Sequence, residues 1–177
     1  MLAQDTVPLG GDPLWYYTVA RNVAEGHGYV IDHDDKGLPV PGPGEPTAFW
    51  PPGYPLALAG VYSISGPTEL PGRMFNAALG VLAIPLVFLI GRAIFETRTG
   101  LWGAAVFVLL PEPIMFSSLL MSEPLFTVLF LAALLVMVRQ PRVRHAPAAS
   151  ALFGLLAGAA ILTRGPGLLL LPAAALF

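Results

Sequence analysis

Of the 177 residues, 55% are hydrophobic and 11% charged, and the mean hydropathy is +0.71, more apolar surface than a water-soluble core of this length absorbs. Composition therefore points to a membrane. The net charge of −2 comes with no basic stripe for nucleic acid, and the absence of cysteine excludes disulfide staples, thiol catalysis and thiolate metal sites.

The first 70 residues contain no apolar run of 18 residues, and proline and glycine crowd Gly37 to Pro55. This part reads as an extramembrane loop with short helices lying at the interface. Asp12 to Glu25 predicts one of them: Asp12 as N-cap, Pro13 at the first helical position, Trp15, Val19 and Val23 at i, i+4 spacing, and Gly26 and Gly28 as stops. Its apolar stripe is expected to rest on the membrane edge. A second short helix is expected over Pro55 to Ile64, introduced by Phe49-Trp50-Pro51-Pro52-Gly53-Tyr54, whose aromatic rings suit the headgroup level.

Beyond Arg73 the gaps between charged residues are almost wholly apolar: Met74 to Gly91, Thr99 to Pro111, Pro124 to Val138 and Ala146 to Thr163. A hydrocarbon layer of roughly 30 Å needs about 20 helical residues, and each helix satisfies its own backbone in lipid, so these are expected to be spans. Pro111-Glu112-Pro113 should bend the crossing from Gly100 to Ser118, and Ser122-Glu123-Pro124 should form the turn before the next. After Arg164, Gly165-Pro166-Gly167 breaks the helix before a last apolar run, Leu168 to Phe177. Placing Arg92 to Arg98 and Arg139 to His145 on the cytoplasmic side obeys the positive-inside preference, and puts Asp12, Glu25, Asp32, Asp34, Asp35, Glu45, Glu69 and Glu123 outside. The expected fold is all-α: an extracytoplasmic loop over residues 1–70, and a polytopic transmembrane helical bundle over 71–177 with about four crossings and a truncated last run. A long outer loop calls for a span before it, so the chain is expected to be a fragment.

Several polar residues stand out, each with more than one reading. Asp12 serves as an N-cap or as a base. Glu123 is either a helix N-terminal acid favoured by the macrodipole or a site acid. Glu112, between two prolines, reads as a kink-lining or surface acid. Arg164 follows an apolar stretch on the acidic side, away from the arginines that set topology. It is either a snorkelling edge residue or a guanidinium able to hold an anionic group bidentately. Arg73 joins that anion site or caps the interface. Tyr16 and Tyr54 are interfacial packing residues or, as aromatic rings with a polar handle, ligand contacts that stack on a ring and bond its hydroxyls. His27, between two glycines, reads as a loop residue, and Asp32, His33, Asp34 and Asp35 as a solvated acidic loop, since nothing supplies a second set of metal ligands at defined spacing.

The order Gly11-Asp12-Pro13, Tyr16-Tyr17, Ala20-Arg21-Asn22, Gly26-His27-Gly28-Tyr29, Trp50-Pro51-Pro52-Gly53-Tyr54-Pro55, Arg73-Met74-Phe75-Asn76, Gly91-Arg92, Ser118 to Glu123 and Leu162-Thr163-Arg164 resembles the N-terminal part of bacterial GT-C membrane glycosyltransferases. The branch is that of the protein O-mannosyltransferases and the aminoarabinose transferase of lipid A. The resemblance implies an integral, multi-pass protein of the bacterial inner membrane. It also implies a sugar donor carried on a polyprenyl phosphate, a protein, lipid or glycan acceptor, and inverting transfer on the extracytoplasmic side. It assigns Asp12 as the base that takes the acceptor hydroxyl's proton, and Glu123 as a second acid orienting the acceptor or a basic partner. Arg164, with Arg73, would hold the donor phosphate. No metal or cofactor is implied for this branch. A non-catalytic subunit that binds lipid-linked sugar, or a small transporter using Glu123 and Arg164 as an intramembrane pair, stands as the alternative.

Overall fold

The computed structural model describes residues 11–32, 44–139 and 147–175. The expectations for His33, Asp34, Asp35, Arg142, Arg144 and His145 lie outside these residues. The described chain is all-α apart from one short pairing of two-residue strands.

Helix α1 spans Asp12–Ala24. Its N-cap is Gly11, with φ of 62°, and not Asp12, which opens the first turn without a side-chain capping bond. The left-handed geometry at the cap suits glycine, while a carboxylate and a proline in the first turn satisfy the dipole and the missing donor. The helix closes in a Schellman motif, in which the Gly26 N–H donates to Val23 O at 3.1 Å and the His27 N–H to Asn22 O at 2.8 Å, with Gly26 at φ 83°. His27 is thus part of a stop signal. Strands β1 (Val30–Ile31) and β2 (Glu45–Pro46) pair antiparallel, and Arg21 ties the end of β1 to α1 through Asp32.

Helix α2, Gly53–Ser65, ends at Gly66 with φ of 84°. Trp15, Tyr16, Val19 and Ala20 of α1 pack with Tyr54, Leu58, Ala59 and Tyr62 of α2 in one buried cluster. The stripe expected on the membrane edge is therefore turned inward. Two short amphipathic helices bury more apolar area against each other than either would alone.

Helix α3 runs from Glu69 to Ile94, 26 residues or ~39 Å at 1.5 Å per residue. It begins five residues before Met74 and takes Arg73 into its second turn. Among the described residues it is the one unbroken helix long and apolar enough to cross a membrane, and only 11% of its most apolar window is buried. A soluble core helix would be mostly covered, so this apolar surface faces outward.

Helix α4 (Thr97–Leu109) lies close along α3: a Cβ on Gly91 would stand 2.8 Å from Gly100 Cα, and one on Gly100 would stand 2.6 Å from the Phe88 carbonyl oxygen. Small residues let the two backbones approach. Helix α5 (Pro111–Ser118) turns 57° from α4. The cause lies in the chain itself, because Pro111 brings no N–H and holds Leu110 extended at φ −69°, ψ 129°. Helix α6 (Glu123–Arg139) returns across α3, burying Val128 against Leu79 and Ala83. Helix α7 (Pro147–Thr163) packs on α6 through Ala133, Ala157 and Ala160. A 3₁₀ turn, Gly165–Leu169, and the short α8, Leu170–Ala175, follow the expected break. Gly167 is pressed against the Ala160 and Ile161 backbone, where a Cβ would have 2.7 Å of room.

Candidate active site

One end of the helices gathers four segments distant in sequence. The first turn of α1 brings Asp12 and Tyr16, the approach to α2 brings Trp50 and Pro51, the start of α6 brings Ser122 and Glu123, and the end of α7 brings Thr163 and Arg164. Together with Met121, Gly165 and Pro166 they line a cavity of about 160 Å³.

Local geometry explains the convergence. Gly53 opens α2 directly against the end of α7, where a Cβ would meet Thr163 Oγ1 at 2.6 Å and Leu162 O at 2.7 Å. No other residue type allows that approach without displacing one helix, which gives the glycine of Trp50-Pro51-Pro52-Gly53-Tyr54-Pro55 a physical task. At the end of α7, Thr163 bonds back to Ala159 O at 2.8 Å and Arg164 turns extended, φ −155° and ψ 142°. Its guanidinium thereby reaches sideways to α6.

Arg164 forms an ion pair with Glu123 Oε1 and donates to Ser122 Oγ at 3.3 Å. The Tyr16 hydroxyl donates to the same Ser122 oxygen at 3.2 Å. Glu123 Oε2 is buried with no hydrogen-bond partner among the described residues. Burial is the largest influence on Tyr16 and pushes its phenol above the ordinary value; Asp12 and Glu123 push the same way, while the Ser122 bond and Arg164 oppose them. Tyr16 is therefore a neutral donor at physiological pH.

The expected site residues divide. Asp12, Tyr16, Glu123 and Arg164 share the cavity. Arg73 does not join them: it pairs with Glu69 at 2.7 Å, one helical turn back, and lines a separate open hollow with Ser117 and Ser118. Tyr54 does not line the cavity either. It is fully buried at 0% exposure beneath Tyr16, ring centroids 4.9 Å apart and edge to face, and gives its hydroxyl to Asn76 Oδ1. It packs the floor of the site. Trp50, Ser122 and Thr163 were not singled out from sequence; only the placement of Ser122 beside Glu123 signalled it.

Glu123 also borders a larger, mainly apolar cavity of about 310 Å³ with Phe107, Phe116 and the exposed Glu112. The charged groups converge on the smaller cavity, which we take as the site. Asp32 pairs with Arg21, and among the described residues no three His, Cys, Asp or Glu side chains cluster as a metal site would require.

A family model described as dolichyl-phosphate-mannose-protein mannosyltransferase matches residues 50–177, which contain Trp50, Ser122, Glu123 and Arg164. The match begins after Asp12 and Tyr16. No curated protein and no solved structure matches the chain. With 128 of the 177 residues matched (50 to 177 inclusive), and with exposed apolar helices that a membrane would cover, the chain belongs to the dolichyl-phosphate-mannose-protein mannosyltransferase family of GT-C membrane glycosyltransferases.

Proposed function

We propose that this chain carries the catalytic end of an inverting glycosyltransferase that takes its sugar from a polyprenyl-phosphate donor on the extracytoplasmic side of a bacterial inner membrane. Residues 1–70 form the outer part, and residues 71–177 a polytopic bundle with α3, the bent α4–α5 pair, α6 and α7 as crossings. The separation of charges supports this orientation. Arg92 lies 16 residues beyond Asn76 on α3, and Arg139 lies 16 residues beyond Glu123 on α6, each ~24 Å from the site end at 1.5 Å per residue. The cations thus sit most of the way across a hydrocarbon layer of roughly 30 Å from the site end.

The observation that carries the reading is the meeting of Asp12, Glu123 and Arg164, separated by up to 152 residues (164 minus 12), on one small cavity. In the proposed reaction the acceptor hydroxyl loses its proton to the Asp12 carboxylate as its oxygen attacks the anomeric carbon. The bond to the donor phosphate oxygen breaks on the opposite face, which inverts the configuration. Arg164 neutralises the departing phosphate, and Glu123 holds the guanidinium in place while it waits. A cavity of about 160 Å³ is half the lower end of ordinary ligand pockets, roughly 300 Å³, and suits a head group rather than a lipid chain. Arg73 and Tyr54 have no part in this scheme.

The test is sugar transfer in nanodiscs from a panel of polyprenyl-phosphate sugars, with wild type beside Asp12→Asn. Wild-type transfer that the variant loses, with donor still bound, supports the reading. Donor binding without turnover in wild type would make the chain a binding subunit, and full turnover in the variant would remove Asp12 from the base role.

A further inference from the structure

Asn76 is 0% exposed, in the third turn of α3, and every polar atom of its side chain is engaged. Its Nδ2 donates to Leu119 O at 2.5 Å and to Met121 O at 2.9 Å, while Oδ1 accepts from the Tyr54 hydroxyl at 3.2 Å. These contacts determine which way the amide faces, since the reverse orientation would set oxygen against two carbonyls. The two carbonyls belong to the non-helical turn between α5 and α6, which has few bonds of its own; the Met121 N–H to Leu119 O contact at 3.0 Å is one. The residue that follows the turn is Ser122, where Tyr16 and Arg164 meet, and Glu123, the partner of Arg164, comes next.

We propose that Asn76 is a positioning residue: with Tyr54 beneath it, it clamps the turn at 119–121 from below and so sets where Ser122 and Glu123 hold the Arg164 guanidinium. The proposal deepens the function proposed above and rests on it for its kinetic consequence. The clamp bonds neither Ser122 nor Glu123 directly. It acts through the backbone, and a shift of the turn carries Ser122 and Glu123 with it. Tyr54, whose burial pushes its phenol far above the ordinary range, stays a neutral donor to Oδ1 throughout the working pH range.

The experiment uses Asn76→Asp, which keeps the shape but places carboxylate oxygens against both carbonyls, and Tyr54→Phe, which removes one hydroxyl from the clamp. Two readouts are taken in nanodiscs: amide hydrogen exchange over residues 119–123, and kcat and KM per folded molecule with a mannosyl polyprenyl phosphate. Asn76→Asp is expected to speed exchange at 119–123 while the middle of α6 stays protected. It should lower kcat by about a hundredfold, the scale of a misplacement near 1 Å. In a Glu123→Gln background the further loss should shrink to a few-fold, because the group being positioned is already gone.

Unchanged exchange at 119–123 overturns the clamp whether or not any sugar is transferred. Faster exchange with unaltered kcat per folded molecule, or equal losses in both backgrounds, reduces Asn76 to a structural role and overturns the proposal. Should Asn76→Asp fail to fold, Tyr54→Phe decides: faster exchange and a several-fold fall in kcat support the clamp, and wild-type values for both refute it. Wild type inert on every donor, with exchange responding as expected, would instead strike the proposed function and leave the clamp standing.

Discussion

Two glycines of α2 make opposed predictions from one substitution. At Gly53 an alanine Cβ would lie 2.6 Å from Thr163 Oγ1, 2.7 Å from Leu162 O and 2.8 Å from Leu162 C. The hydroxyl can rotate away, but the carbonyl is backbone. Restoring an ordinary contact of 3.4 Å requires α2 and α7 to separate by 3.4 minus 2.7, or 0.7 Å, at the junction that frames the cavity. Overpacking of this kind costs about 1–3 kcal/mol, and a rigid neighbour places Gly53→Ala in the upper part of that range, near 2–3 kcal/mol. At roughly 2–4 °C per kcal/mol for a chain of this size, the melting temperature should fall by about 4–12 °C. A displacement approaching 1 Å between Trp50 and Arg164 should also cut transfer by about tenfold or more. Gly60, in the middle of the same helix, has nothing within 4 Å of its Cβ position. There alanine removes backbone entropy from the unfolded chain without a clash and should stabilise by about 0.5–1 kcal/mol with unchanged transfer. Differential scanning fluorimetry and the transfer assay on both variants decide the matter. A Gly53→Ala protein with wild-type melting and turnover, or a Gly60→Ala protein that loses either, would refute the packing described at the α2–α7 junction.

Arg164→Ala should raise the Kd for the donor by about tenfold or more while Asp12→Asn leaves it nearly unchanged and lowers kcat; the opposite pattern in a donor-binding titration would reverse the two roles. The same Arg164→Ala change leaves Glu123 without its cation. Because the two side chains are 36% and 22% exposed, the stability loss should be about 1–2 kcal/mol in a chemical melt, between a surface pair and a buried one. Tyr16→Phe removes a neutral donor to Ser122 and should cost about 1 kcal/mol of stability, with a modest fall in turnover. Tyr16, Tyr17, Tyr29, Tyr54 and Tyr62 are all raised above 10, chiefly by burial, Tyr29 to about 12. The unfolded chain therefore loses phenolic protons at a lower pH than the native one, so stability is intact below pH 10 and falls as pH rises from 10 toward 12. Phenolate absorbance followed alongside circular dichroism should show these tyrosines ionising only as the helices melt.

Much of the helical frame was legible because its signals are local. Gly26, Gly66 and Pro111 end or bend helices by their own backbone chemistry, and Glu123-Pro124 opens α6 as an acidic first turn should. Arg73 stands apart from the cavity for a local reason too: once α3 starts at Glu69, the two residues are one turn apart and pair along the helix surface. Only the apolar count placed the start at Met74, and that count ignores the polar first turn. The burial of Tyr54 and the inward stripe of α1 could not be read from sequence because the face a short helix buries depends on its neighbour, here α1 against α2, and not on its own periodicity. Asp12, Glu123 and Arg164 could be grouped only through resemblance, since no spacing within the chain relates them. Ser122 and Asn76 lie within quoted motifs, yet nothing in their spacing shows what they bond. A buried serine or asparagine earns its place from carbonyls and hydroxyls that the fold delivers from elsewhere.

The ion pair between Glu123 and Arg164 also sets an order in time. At roughly 5–20 residues per second, the ribosome adds the 41 residues from Glu123 to Arg164 (164 minus 123) in about 2–8 s, and it needs about 8–30 s to go from Asp12 to Arg164. Over those last 41 residues (164 minus 123) both acids exist in the nascent chain and the cation that pairs with Glu123 does not. A carboxylate without a partner resists leaving water, so until then burying the start of α6 carries a desolvation cost that the packing of α1 on α2 does not. Arrival of Arg164 lets the start of α6 close against the end of α7. Of the three charged groups that line the cavity, the cation is thus the last to be synthesised, and Glu123 has no partner for its charge until then.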